Sequence, residues 1–194
     1  MNGHRGTGIR TVRGNELSVQ RARQTVCAVP DPEMPYVTLG DLGVVGAVEV
    51  SEGARVVRVA LKPTYLGCPA TEVIQQDVEA ALIADGWSAV SIELRFDPPW
   101  TPDLITDEGR AKLAAAGVAP PVHGRHEADG PVSVTISLGR PGSSNSAGTD
   151  DVVRCPQCGA AQTRLLSAFG PAPCQELRAC EVCREPFPAI KARR

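Results

Sequence analysis

The sequence predicts an α/β (α+β) domain, with a three- to four-stranded sheet and packed helices, followed by a small C-terminal ribbon held by four cysteines. Three observations carry this prediction. Gly (19) and Pro (17) make up nearly a fifth of the 194 residues, which excludes an all-helical bundle or a coiled coil. Apolar alternation recurs in segments between residues 44 and 96, interrupted by one stretch of helical period. Five of the seven cysteines fall in the last 40 residues, four of them as two Cys-x-x-Cys pairs.

Bulk composition narrows the function classes. Hydrophobic residues are 42% and aromatics 4%, so an aliphatic core is expected. A net charge of −2 argues against a general nucleic-acid binder. No apolar run approaches the roughly 20 residues that span a bilayer. The start of the chain has arginines but no apolar stretch like that of a secretory signal, so a cytoplasmic protein is expected.

Residues 1–15 have no apolar period and are expected to form a disordered tail. Leu17, Val19, Ala22, Val26 and Ala28 then follow a loose helical pattern over 16–29. Asp31-Pro32-Glu33-Met34-Pro35 ends it, because neither proline can continue a helix. Residues 44–50 and 55–62, separated by Ser51-Glu52-Gly53, read as a hairpin, with Val57, Val59 and Leu61 on one face. Residues 69–85 read as a helix, with Val73, Ile74, Val78, Ala81 and Leu82 on its apolar side. Pro69 suits its first turn and Gly86 the position after its end. Residues 88–96 form a third strand with Val90, Ile92, Leu94 and Phe96 facing inward. Residues 103–116 form a second helix closed by Gly117. Residues 16–117 are therefore a compact domain of about 100 residues.

The segment 118–150 holds an added strand at 132–138 and a linker rich in Gly and Ser at 139–149. Residues 151–194 are a separate module with seven Lys/Arg against four Asp/Glu. Cys155-Pro156-Gln157-Cys158-Gly159 and Cys180-Glu181-Val182-Cys183 have the spacing of two metal knuckles. Two such turns bring four thiolates around one ion, with zinc as the default and iron or an Fe–S cluster sharing the ligand set. Residues 162–169 and 175–179 are the two arms of the ribbon. Leu165, Leu166, Phe169, Leu177, Phe187 and Ile190 are too few to hold it without a metal. Cys174 is a surplus thiol: a small buried residue, an alternative metal ligand or a group with a chemical role.

Cys68 lies between a predicted strand and a predicted helix. Unpaired N–H groups and the helix dipole favour a thiolate there, while a buried structural cysteine is the alternative. Thr64 can reach the same loop. Thr71 stands where a redox Cys-x-x-Cys would need its second cysteine, so that chemistry is excluded. Asp31, Glu33 and Asp41 either cap turns or offer hard ligands beside the thiol.

Asp31-Pro32-Glu33-Met34-Pro35, Asp41-Leu42-Gly43-Val44-Val45 and Pro63-Thr64-Tyr65-x-Gly67-Cys68-Pro69, in this order, resemble the small iron–sulfur-assembly domain family related to SufT. The resemblance continues into the PaaD-like accessory subunits of phenylacetyl-CoA epoxidase systems. It is carried there by Pro98-Pro99-Trp100-Thr101-Pro102-Asp103, Gly109-Arg110-x-Lys112-Leu113, Gly117-Val118-Ala119-Pro120-Pro121, Ser167-x-Phe169-Gly170, the five late cysteines and Glu185-Pro186-Phe187. Residues 122–150 look like an insertion.

The resemblance implies a maturation role: helping to assemble or insert iron or Fe–S centres in the oxygenase. Cys68 would be the functional, cofactor-binding thiol, with Asp31, Glu33 and Thr64 around it. Cys155, Cys158, Cys180 and Cys183 would hold the ribbon's metal, and Cys174 is a further candidate. Oxygenase and reductase subunits are the implied partners, with a homodimer left open. A docking subunit and, less favoured, a zinc-ribbon nucleic-acid binder are the alternatives. His4, His123 and His126 do not follow a Glu by three residues, so a di-iron oxygen-activating site is not expected in this chain.

Overall fold

The computed structural model describes residues 8–51, 55–64, 67–121 and 152–191. The predicted tail residues 1–7, the hairpin tip, Tyr65, Leu66, the expected strand at 132–138 and the linker lie outside them.

The first unit comprises α1 (Gly8–Cys27), β1 (Val45–Ser51), β2 (Val56–Leu61), α2 (Ala70–Ala84), β3 (Ala89–Leu94) and α3 (Asp107–Ala115). β1 pairs with β2 antiparallel, as the hairpin pattern predicts, and β2 pairs with β3 in parallel. A parallel neighbour needs a crossover, and α2 supplies it. The core is aliphatic. Val57, Val59 and Leu61 of β2 meet Ala22 and Val26 of α1, Val78 and Leu82 of α2, and Val37 and Leu39 of the intervening loop.

The structure corrects several boundaries. α1 begins at Gly8, inside the stretch expected to be tail. The predicted helix over 103–116 is divided into a 3-10 turn, Pro102–Leu104, and α3. Thr106 separates them, its extended backbone placing Oγ1 to accept from the Gly109 N–H at 3.0 Å and cap the new helix. Phe96 lies beyond β3 and is 49% exposed, so the inward alternation stops at Leu94. Val73 of α2 is likewise exposed.

The second unit is an antiparallel meander of β4 (Thr163–Ser167), β5 (Gln175–Cys180) and β6 (Pro186–Ile190). The sequence pattern predicts two arms, and β6 is the addition. Two prolines disguise it, but both lie at alternate positions. Pro188 accepts from the Ala119 N–H and Ile190 donates to the Ala119 carbonyl, so this parity of residues faces Ala119. The missing N–H groups therefore spare the ladder to β5. Phe187 and Ala189, of the other parity, are buried with Val153, Cys155 and Cys180.

The Ala119 pairing, a parallel bridge to Ala189, seats the ribbon on the first unit. Ile190 joins the first unit's core. Arg110 fixes the connecting segment, donating to the carbonyls of Pro102 and Pro121. Gly109 lets α3 come close, since a Cβ there would meet the Asp41 carbonyl oxygen at 2.6 Å.

Candidate functional site

Two groups of chemically active side chains emerge. The first is the ribbon's thiol cluster. Cys155, Cys158, Cys180 and Cys183 bring their sulfurs within 4.8 Å of one another. Cys155 and Cys183 are 3.7 Å apart, and Cys158 and Cys180 3.6 Å. A tetrahedral zinc with bonds of about 2.3 Å needs sulfur separations of about 3.8 Å, whereas a disulfide needs about 2.05 Å. The four thiols thus fit a bound metal ion.

Both knuckles share one backbone design. The Cys155 N–H donates to Ala160 at 2.9 Å and the Cys180 N–H to Glu185 at 3.0 Å, each five residues on. The residue after each pair has positive φ, Gly159 at 73° and Arg184 at 65°. Electrostatics favour a cation. The Cys183 N–H and neighbouring donors pull the Cys180 thiol down to about 7. At Cys183 an N–H from Glu185 lowers the pKa, but burial and the thiols of Cys180, Cys158 and Cys155 outweigh it and push it up to about 12. Four crowded thiols cannot all ionise alone, and a dication removes that penalty.

The second group lines a cavity of about 40 Å³ where the two units meet. Asp31, Glu33, Thr64 and Cys68, the residues singled out in the sequence, all line it. Asp31 is 8% exposed, and its Oδ1 accepts from the N–H groups of Glu33 and Met34 at 2.9 and 2.8 Å. Capping and lining the cavity are thus both true of Asp31. Asp41 belongs to the frame: its Oδ2 accepts from the Thr38 N–H and from Lys112 Nζ.

Cys68 follows Gly67, whose φ of 78° makes the turn into α2. The expectation of a stabilised thiolate is corrected here. Burial raises the Cys68 pKa most, Glu33 and Asp31 raise it further, and the Ala70 N–H and Thr71 hydroxyl do not compensate. Burial likewise raises Asp31 and, with help from Asp31, Glu33.

For Cys174 the sequence leaves three readings open: a small buried residue, an alternative ribbon ligand or a group with a chemical role. As an alternative ribbon ligand it would lie with the four thiols. It instead lines the Cys68 cavity, together with Lys62 and Thr71. Its carbonyl accepts from the Lys191 N–H at 2.9 Å, and the next residue, Gln175, donates from Nε2 to the Met34 sulfur at 3.1 Å. The signal for this in the sequence is that a tetrahedral site needs four cysteines and the tail has five.

These features define a class: a small α+β domain with a thiol and two carboxylates at one cavity, carrying a ribbon built on a four-thiol metal-binding group. Residues 20–94 match the family described as "Iron-sulfur cluster assembly protein", and residues 139–191 the "PaaD zinc beta ribbon domain". The chain is 36% identical over 164 residues to an Escherichia coli K12 protein assigned as a subunit of 1,2-phenylacetyl-CoA epoxidase, covering 84% of this chain and 86% of that one. It belongs to that PaaD-like family of epoxidase subunits, in which a zinc β-ribbon follows an iron–sulfur-assembly domain. A Porphyromonas gingivalis Fe-S protein maturation auxiliary factor is 35% identical over 86 residues, 44% of this chain and 80% of that protein. A solved DUF59 domain from Bacillus anthracis is 23% identical, covering 53% of this chain and 96% of that one with a TM-score of 0.49. A Mycobacterium tuberculosis protein associated with Fe-S complex assembly and repair is 30% identical, covering 60% and 98%, with a TM-score of 0.31. Among the described residues no helix is long and apolar enough to cross a membrane.

Proposed function

We propose that this chain is an accessory subunit of a 1,2-phenylacetyl-CoA epoxidase system that assists assembly or insertion of an iron or Fe–S centre in the oxygenase. The observation that carries this reading is the convergence of Cys68, Asp31, Glu33 and Thr64 on one cavity. A thiol sharing a cavity with two carboxylates combines soft and hard donors, which suits transient handling of iron. Its clients are the oxygenase and reductase subunits, and it works in the reducing cytoplasm. The ribbon metal is zinc, held by Cys155, Cys158, Cys180 and Cys183, and its role is to fold the ribbon. The test is a Cys68→Ser variant produced with the oxygenase. Iron content and epoxidase activity fall together on this reading. Unchanged metal content and activity would sink it.

A docking role is the second reading. Phe169 is 83% exposed, and Leu165, Leu166 and Val182 are also exposed on the ribbon. Such residues suit a partner surface. Stoichiometric co-purification with the oxygenase, undiminished by Cys68→Ser, would favour docking over maturation.

A further inference from the structure

We infer that Cys174, brought from the ribbon, completes the Cys68 cavity as a second thiol ligand, so that two thiols and the Asp31 and Glu33 carboxylates form a site for a divalent first-row metal ion. This deepens the maturation reading and rests on it: the ribbon then supplies a working group as well as a fold.

Several observations converge on this site. Cys174 is held in place: Lys191 donates from its backbone N–H to the Cys174 carbonyl and from Nζ to the Pro173 carbonyl at 2.7 Å. Gln175 is 3% exposed and bound to Met34, three residues after Asp31. The ribbon turn and the acidic loop are therefore fastened to each other beside the cavity. Asp31 is buried and aimed by two backbone N–H groups. Both hydrogen bonds that its carboxylate accepts among the described residues end on Oδ1.

The charge pattern also asks for a cation. The lining sets two carboxylates and two thiols, all able to act as anionic ligands, around one cavity. Among the described residues, Lys62 is the one basic side chain lining the cavity. A space of about 40 Å³ has room for an ion with a few waters.

The donor set distinguishes this site from the ribbon. Two sulfurs and carboxylate oxygens accept ferrous iron, cobalt or zinc. Among the described residues only the four ribbon thiols are already gathered within 4.8 Å. The cavity donors are more widely spread, so an ion bound there must draw them together, whereas the ribbon set is already closed.

The experiment uses the full chain carrying one equivalent of zinc in its ribbon, titrated anaerobically with Co²⁺ as a spectroscopic probe. The wild type is expected to take up one further equivalent with a sulfur-to-cobalt charge-transfer band. Cys174→Ser and Cys68→Ser are each expected to lose about half of that band and to bind about tenfold more weakly, with ribbon zinc retained as the folding control. A second measurement needs no variant: Co²⁺ should protect Cys68 and Cys174 together from alkylation, read by peptide mass. A band and affinity unchanged in Cys174→Ser, with alkylation of Cys174 unaffected by cobalt, overturns the inference. It leaves the Cys68 reading standing, because that reading is decided by oxygenase iron content and activity. No second equivalent in the wild type also overturns the inference alone.

Discussion

Gln175 of the ribbon donates to the Met34 sulfur of the acidic loop at 3.1 Å inside a buried contact. One side chain thus ties the strand that follows Cys174 to the loop that carries Asp31 and Glu33. Gln175→Ala removes this bond and opens space, at an expected cost of about 1–3 kcal/mol. Amide exchange at Ala119 and Ile190 should quicken while ribbon metal content stays constant. A Tm and exchange pattern equal to wild type would show that the contact holds nothing.

The two knuckles allow a matched comparison at one backbone position. Gly159→Ala places a Cβ in open space but at a φ of 73°, so its cost is conformational, about 1–2 kcal/mol. Arg184→Gly relieves the same strain at φ 65° and should stabilise the ribbon, by about 0.5 kcal/mol once the flexibility of Gly in the unfolded chain is counted. Denaturant unfolding followed at the ribbon tests the opposite signs.

Removing the metal should unfold the ribbon and spare the first unit. The ribbon's own apolar cluster is Phe187, Val153 and Ala189 with Ala119 and two of the thiols, because Ile190 packs into the first unit's core and Leu165, Leu166 and Phe169 are exposed. That is too little to hold three short strands. A chelator, or Cys180→Ser, should abolish exchange protection in β4–β6 while β1–β3 persist. Binding must displace protons, since Cys183 lies near 12 and Cys180 near 7 without metal. Metal affinity should therefore drop as pH falls, by about tenfold per pH unit for each proton released. A pH-independent affinity would contradict four-thiolate ligation.

Local chemistry explains how much of the fold is legible in the sequence. The hairpin, α2 and the knuckles rest on short-range signals: alternation around Val57 and Val59, Pro69 and Gly86 at the helix ends, and cysteines separated by two residues. Those features survive folding unchanged. The candidate site is half legible, because Asp31, Glu33, Thr64 and Cys68 lie in two adjoining loops. Cys174 is not, since its place depends on Ala119 pairing with β6 and on Gln175 reaching Met34. The thiolate expectation for Cys68 fails for a related reason. The helix start does supply favourable donors, but burial and the carboxylates of a distant loop outweigh them. β6 is hidden by prolines whose harmlessness shows only once its neighbours are known.

Asp31 and Asp41 are both buried, at 8% and 7% exposure, yet they respond to pH in opposite directions. Burial raises Asp41, but Lys112 and Thr38 more than offset it and hold its carboxyl below the usual range. Its contribution to stability is present above the unfolded value, about 3.9, and is lost as pH falls through the lower folded value. Lys112→Met should therefore move acid unfolding to higher pH. Asp31 is raised by burial, and its two N–H donors do not cancel that. The folded state holds its proton more tightly, so Asp31 favours folding below about 4 and less so as pH rises through its folded value. Asp31→Asn keeps an acceptor for Glu33 and Met34 but cannot ionise. Its stability relative to wild type should grow with pH above about 4 and be greatest at neutral pH, while its Co²⁺ uptake at the cavity falls. Thermal unfolding of wild type and variant across that range checks the sign. A variant less stable at neutral pH would mean that Asp31 is kept for the fold, as Asp41 is, and not for what the cavity binds.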